Sequence, residues 1–183
     1  MDRRQRKTRK AIFDAFISLL SKRNFNDITV GEIIELADVG RATFYAHFET
    51  KDFLLKDLCA ELFDHIFDVE NETEHTGHTL FHCDAHDDVF LHLFKHIKEN
   101  DNNIGKLLSS RNNELFLEYF KNGVKGLVVS RIQDFQHEKP DVLPDEFWIN
   151  HITATFIETL RWWLSGQMKE PPERITEYFL ASV

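Results

Sequence analysis

The chain has 183 residues with seven Gly, four Pro and seventeen Phe, a composition that favours helices over a turn-rich β fold. Its net charge of −9 would argue against a nucleic-acid partner if the charge were evenly spread. Residues 1–51, however, hold ten Lys and Arg against seven Asp and Glu, a net of +3. An acidic body with a basic end predicts a nucleic-acid-binding module attached to a second unit.

The N-terminal segment and the cysteines indicate a compartment. The segment is charged and lacks the apolar stretch of a signal peptide. No run of about 18 apolar residues occurs, which predicts no membrane span and no membrane partner. Cys59 and Cys83 are predicted to be free thiols in a reducing cytoplasm. We therefore expect a cytoplasmic chain without a cofactor.

The first part of the chain predicts closely spaced helices. Their expected positions are 4–23, 30–37, 41–47 and about 51–70. Thr29 and Glu32 have capping-box spacing at the start of the second helix. Asp38-Val39-Gly40 predicts a turn between the second and third helices, with Val39 as an apolar plug.

The rest of the sequence continues in helical periods without sustained period-two alternation. A polar, histidine-rich loop is expected at 71–84. Further helices are predicted at 86–99, 103–109, 112–136, 145–165 (ending at Gly166) and from Pro172 onward. The predicted fold class is all-α, with about nine helices.

The helix at 41–47 has a pattern suited to a DNA major groove. Phe44 and Phe48 lie on one face and leave a basic, hydroxyl-bearing face opposite. Arg41 and Thr43 are predicted to contact base edges, with Ala42 between them, because Arg pairs with guanine and Thr contacts thymine. The predicted phosphate contacts, which carry no sequence information, are Thr29, Tyr45, His47 and Lys51.

A basic arm precedes this segment. Its cationic residues are Arg3, Arg4, Arg6, Lys7, Arg9 and Lys10. The arm is expected to reach phosphates or an adjacent minor groove. For residues 1–5 a disordered, solubilising tail is an equally open alternative.

Residues 5–55 resemble the helix-turn-helix segment of the TetR/AcrR family of transcriptional regulators. The matching residues are Thr29-Val30, Ile33, Ala37, Val39, Arg41, Thr43-Phe44-Tyr45, His47-Phe48, Lys51 and Leu54. Asp38 stands where the family commonly has Gly, and Gly40 stands where it commonly has a Ser cap. The phrase at residues 160–164 and Pro171-Pro172-Glu173 look like one C-terminal subtype of the same family.

The resemblance implies a sequence-specific, homodimeric transcriptional regulator, expected to be a repressor, that binds a palindromic operator in double-stranded DNA. Two domains are expected, a helix-turn-helix DNA-binding domain at 1–50 and a helical effector-binding and dimerisation domain at 51–183. The last two long helices should pair across the dimer axis, through Ile152, Phe156, Leu160, Trp163 and Phe179. An unknown small-molecule effector is expected in a pocket lined by Phe90, Phe94, Phe116, Tyr119, Phe120, Phe156 and Trp162, although the same spacing is typical of a packed core.

Two alternatives stay open. Seven of the ten histidines lie between positions 65 and 96, and His82/His86 and His92/His96 have the i,i+4 spacing of metal ligands on a helix. No bound metal is expected, and the candidate ligands for one are His82 and His86. A metal-responsive regulator that uses segment 75–96 is the first alternative. The second is a co-activator or binding module that keeps the scaffold without reading DNA. The sequence contains no nucleophile–base motif or phosphate-binding glycine loop, so no enzyme is expected.

Overall fold

The computed structural model describes residues 3–70, 88–99, 104–109 and 114–183, and within these ranges every regular element is helical. The α-helices are α1 (Arg3–Leu20), α2 (Val30–Leu36), α3 (Arg41–His47), α4 (Lys51–Glu70), α5 (Val89–Glu99), α6 (Ile104–Ser109), α7 (Glu114–Ser130), α8 (Asp145–Ser165) and α9 (Pro172–Leu180). Two short 3-10 helices, Phe25–Asp27 and Ile132–Phe135, connect them. The all-α prediction is confirmed, and the expected loop at 71–84 lies outside the described residues.

The predicted long helix at 112–136 is wrong at its C-terminal end. Helix α7 stops at Ser130, because Arg131 leaves the helical region with φ −110° and ψ 16°. The following 3-10 helix still turns Phe135 into the core, where its carbonyl accepts a hydrogen bond from Trp148 Nε1 at 3.1 Å. The apolar period therefore continues past the end of the helix, and periodicity alone could not locate that end.

Arg9 ties α1 to α4. Its guanidinium donates to Asp57 Oδ2 at 3.3 Å and to Glu61 Oε1 at 3.4 Å. It also lies over the rings of Phe13 and Phe48, with the guanidinium carbon 4.9 and 5.0 Å from the ring centroids. The assignment of Arg9 to a DNA-contacting arm is therefore wrong, because its charge is used inside the fold.

Helices α4, α7 and α8 form successive layers of the body. Gly123 of α7 lies directly beneath Phe63 of α4, so a Cβ atom at this position would come within 2.2 Å of the ring. Phe63 in turn packs on Phe120, with centroids 5.3 Å apart. The absence of a side chain at Gly123 is what lets the two helices approach.

Aromatic rings from α5, α8 and α9 pack together at the other side of the body. Phe94 and Phe156 stack with centroids 4.7 Å apart, and Phe179 lies 4.9 Å from Phe90 and 5.2 Å from Phe156. Of the other predicted pocket residues, Phe116 and Phe120 are buried, Tyr119 is half-buried and Trp162 is exposed. These contacts describe a packed core, and the effector-pocket assignment stays a prediction.

The predicted interface residues lie inside the fold of a single chain, and their part in a dimer stays a prediction. Each of them is at most 1% exposed within a single chain: Ile152, Phe156, Leu160, Trp163 and Phe179. The reason is that α5, α7 and α9 cover the four residues of α8, and Phe179 of α9 packs on Phe156. The outer face of α8 and α9 instead exposes Phe147, Trp162 and Tyr178.

Buried titratable groups lie where α4 meets α5. His65 of α4 is buried with His92 and His96 of α5. Burial, and after it the neighbouring His92, lower the pKa of His96 to about 4, so this imidazole is neutral at neutral pH. Cys59 is a buried free thiol whose pKa is raised by burial, and Cys83 lies outside the described residues.

Among the described helices, none combines the length and apolar character needed to cross a lipid bilayer.

Candidate nucleic-acid interface

Helix α2 begins at the predicted capping box. The Glu32 backbone N–H donates to Thr29 Oγ1 at 3.2 Å, and the Thr29 N–H donates to Glu32 Oε2 at 2.9 Å. The Thr29 hydroxyl also donates to this carboxylate, which Arg23 contacts from the preceding loop. The Thr29 backbone N–H first, then its hydroxyl and Arg23, lower the pKa of Glu32 to about 2.

The turn after α2 is a Schellman motif. The Val39 N–H donates to the Ile34 carbonyl at 3.0 Å, and the Asp38 N–H donates to the Glu35 carbonyl at 3.3 Å. Asp38 has φ 52°, the left-handed conformation that favours glycine. Val39 is half-buried against the core, as the plug prediction requires.

Helix α3 presents the polar face that its sequence predicts. Gly40 is its N-cap, with an extended backbone and no side-chain cap bond. Phe44 and Phe48 are buried, and their rings lie 5.9 Å apart. The residues that face outward in the first turn and a half are Arg41, Ala42, Thr43 and Tyr45. The apolar residues thus fix the helix on the core and leave the opposite face free for a partner.

Tyr45 stands beside the start of two helices. It is 48% exposed and borders a surface depression of about 390 Å³ that the N-terminal residues of α2 and α4 also line. Thr50 caps α4 there by accepting from the Phe53 N–H at 3.2 Å. Helix N-termini attract anions, although Glu49 at the same depression adds a negative charge.

Lys51, which was predicted as a phosphate contact, has a structural role in the DNA-free fold. Its ammonium donates to the carbonyls of Phe25 at 2.9 Å, Asn26 at 3.3 Å and Ile28 at 2.8 Å. It also lies 4.5 Å from the centroid of the Phe25 ring. All three N–H donors of the ammonium are therefore used to hold the loop before α2 onto α4.

The other predicted phosphate contacts differ in availability. The Thr29 hydroxyl gives its proton to Glu32, so it serves the capping box. His47 is half-buried, and burial, with a smaller effect of Arg9, lowers its pKa. Its neutral ring has a single N–H donor. Tyr45 is 48% exposed, and none of these phosphate contacts is tested by the free fold.

Four cations lie exposed on the first turns of α1, namely Arg3, Arg4, Arg6 and Lys7. Within the described residues none of them forms an ion pair, whereas Lys10 pairs with Asp14 at 3.1 Å. Positive side chains at a helix N-terminus oppose the helix dipole. Their charge is therefore unfavourable for the free helix and available to an anionic partner.

Two family models match the chain over these parts. The model described as bacterial regulatory proteins, tetR family, matches residues 12–58. The model described as transcriptional regulator C-terminal region, a TetR type, matches residues 84–183, more than half of the chain. The chain belongs to the TetR family of transcriptional regulators. It is accordingly a helix-turn-helix transcriptional regulator by family.

Relatives of this TetR-family chain include solved structures. A TetR transcriptional regulator from Streptococcus agalactiae 2603V is 35% identical, with 100% of this chain and 96% of that chain covered and a TM-score of 0.74. FadR from Bacillus subtilis, solved with stearoyl-CoA, is 18% identical, with 94% and 98% covered and a TM-score of 0.59. At that identity the likeness shows the fold alone.

A curated relative is longer than this chain. The uncharacterized HTH-type transcriptional regulator YxbF of Bacillus subtilis (strain 168) is 24% identical over 98% of this chain. The chain spans 45% of the length of that relative.

Proposed function

We propose that this TetR-family chain is a homodimeric repressor that reads a palindromic operator through α3. One observation carries the proposal: α3 is anchored by Phe44 and Phe48 and exposes Arg41, Ala42 and Thr43 in its first turn. In a helix-turn-helix the N-terminal residues of the second helix reach base edges. Arg41 would pair with guanine, and the Thr43 methyl or hydroxyl would contact a neighbouring base.

Phosphate contacts would fix the register of α3 in the groove. Tyr45 supports this role because its exposed side chain borders the depression at the N-terminus of α4. The exposed cations on the first turns of α1 would supply a second phosphate contact, since their position is unfavourable in the free helix. Both contacts increase affinity for DNA of any sequence, whereas Arg41 and Thr43 give preference for particular base pairs.

The outer face of α8 and α9 is the proposed dimer surface. It exposes Phe147, Trp162 and Tyr178, and the last two rings meet edge-on at 6.2 Å. Trp162 and Tyr178 border a depression of about 290 Å³ together with Thr159 and Ser182. A two-fold axis through this face would give two copies of α3 that match the two-fold symmetry of a palindrome.

The regulatory signal is proposed to be a small molecule bound by the domain at 51–183. FadR from Bacillus subtilis was solved with stearoyl-CoA, which supports a ligand-binding role for this fold. The domain at 1–50 connects to the rest directly through α4, which begins at Lys51. A ligand that binds one arrangement of the two DNA-binding domains more tightly would shift the population between DNA-competent and incompetent dimers.

The proposal is tested by selecting binding sites from a random duplex DNA library with the purified chain. We expect enrichment of a palindrome whose half-sites lie about 34–36 Å apart, or a multiple of that distance. Affinity for the selected site should fall with salt, with a slope of about −0.9 for each neutralised phosphate. Failure to enrich any sequence would contradict DNA reading and favour the co-activator alternative.

A further inference from the structure

Three histidines from two helices converge in the core of the body. His92 and His96 are one turn apart on α5, and His65 reaches them from α4. One ring nitrogen of each residue lies within 4.8 Å of the others. All three side chains are buried, with exposed fractions of 0%, 1% and 3% for His65, His92 and His96. The cluster is therefore enclosed by the fold and does not belong to a solvated histidine-rich surface.

One nitrogen from each ring lies close to a nitrogen of the other two. His65 Nε2 lies 3.0 Å from His96 Nε2, so one nitrogen donates a proton and the other accepts it. The ring of His65 is nearly perpendicular to both other rings, with centroids 4.7 Å from His96 and 5.3 Å from His92. His92 and His96 stack with centroids 4.8 Å apart.

This donor set has the chemistry of a transition-metal site. Two imidazoles at i,i+4 on one helix face, with a third from a facing element, bind zinc with nitrogens at about 2.0–2.1 Å. Ligand nitrogens on such a tetrahedral ion are about 3.3 Å apart. The observed nitrogens lie within 4.8 Å, so small side-chain rotations bring them to that spacing. Three imidazoles without a thiolate suit zinc and its borderline neighbours and do not suit calcium or magnesium.

We propose that His65, His92 and His96 form a binding site for a divalent transition ion, zinc in the first place, between α4 and α5. The site goes beyond the proposed reading of DNA and does not depend on it. Water or another small ligand would complete the tetrahedron. Because α4 continues directly from the DNA-binding domain, an ion here would fix that helix to the regulatory body.

The site is tested with metal-free full-length protein. Zinc is titrated into the protein in competition with a chelator dye, and one zinc ion per chain should bind tightly. Cobalt bound at the same site should give the intense visible bands of a tetrahedral complex. Each of His65→Phe, His92→Phe and His96→Phe should weaken zinc binding about tenfold or more by removing one of three ligands. The phenyl ring retains most of the buried volume, and circular dichroism checks that each variant is helical.

Two controls separate this cluster from other histidines. His151→Phe removes an exposed histidine of α8 and should leave zinc binding unchanged. The double variant His82→Ala/His86→Ala should also retain the tight equivalent. The proposal is overturned if each of the three single variants of the cluster still binds zinc tightly. It is also overturned if tight binding is lost only in the His82→Ala/His86→Ala variant.

X-ray absorption on the wild-type zinc protein gives a readout that does not depend on any variant. Three imidazoles at about 2.0 Å are expected in the zinc shell. A shell made of carboxylates, or with fewer than three imidazoles, would overturn the assignment.

Discussion

Position 38 shows how one residue can influence both stability and recognition. Asp38 occupies the left-handed position of the Schellman turn, with φ 52°, where most L-residues are strained. It is exposed in the turn that leads into α3, so its charge also opposes an approaching phosphate. Conformation and charge can be separated, because asparagine removes only the charge and glycine removes both.

We predict that Asp38→Gly raises the free energy of unfolding by about 0.5–1 kcal/mol, the strain relieved less the added freedom of the unfolded chain. Asp38→Asn should give a smaller gain in stability. Both variants should raise DNA affinity at low salt by similar factors, and this gain should shrink as salt screens the charge. Urea denaturation and DNA titration measure the two effects. Equal stabilisation by asparagine and glycine would contradict the strain argument.

A second single residue, Glu32, makes the free energy of unfolding depend on pH. Its pKa in the folded chain is about 2 against an ordinary value of 4.5. The ionised carboxylate therefore stabilises the fold above the ordinary value, and this contribution is lost as pH falls from about 4.5 towards 2. The stability difference between wild type and Glu32→Gln, measured by denaturation across that window, should shrink as pH falls. A difference that stays constant with pH would show that the carboxylate is not linked to folding.

At the scale of the element, the contact between α4 and α7 depends on glycine. Gly123→Ala should lower the free energy of unfolding by about 1–3 kcal/mol, because its Cβ would meet the Phe63 ring at 2.2 Å. Gly126, one turn further along α7, has only ordinary contact at 3.6 Å from Phe67. Gly126→Ala should therefore stabilise α7 by about 0.5–1 kcal/mol. Thermal or urea unfolding compares the pair, and destabilisation of similar size in both would refute the close-approach argument.

The helices also show which features the sequence could predict. The bounds of α3 and α8 and the capping box at Thr29 follow from local signals, namely periodicity, cap residues and helix breakers. The intramolecular contacts of Lys51 and Arg9 could not be predicted, because their partners are distant in sequence. In the sequence, a cation that binds carbonyls or packs on rings looks the same as one that contacts DNA. The need for glycine at position 123 likewise comes from a tertiary contact, the one with Phe63.

The candidate sites also combine features that local sequence signals predict with features that depend on tertiary contacts. The i,i+4 pair of His92 and His96 was visible in the sequence, but only folding brings His65 to it across α4. The burial of the predicted interface residues within one chain could not be foreseen, because an amphipathic stripe does not say whether the chain or a partner covers it. Trp163 is 1% exposed and Trp162 is 57% exposed, although they are adjacent in sequence.

For the whole molecule, the exposed apolar face of α8 and α9 predicts that the chain dimerises. Trp162→Glu should produce monomers at micromolar concentration, because a carboxylate at the centre of an apolar contact is left unpaired. Val142→Glu, at an 84% exposed apolar residue before α8, is the control and should remain dimeric. Analytical ultracentrifugation measures both. A wild type that is monomeric, or a Trp162→Glu variant that remains dimeric, would contradict this interface.

Helix α3 is proposed to read DNA sequence through Arg41. The most direct test is competition binding of wild type, Arg41→Ala and Tyr45→Phe to a selected operator, to operators with one substituted base pair and to unrelated DNA. Arg161→Ala, a surface arginine of α8, serves as the control. Arg41→Ala should cost about 1–3 kcal/mol on the operator and lose preference at one base pair, whereas Tyr45→Phe should weaken binding to all sequences equally. An Arg41→Ala variant that loses affinity equally for every sequence, with its base preferences intact, would contradict the account.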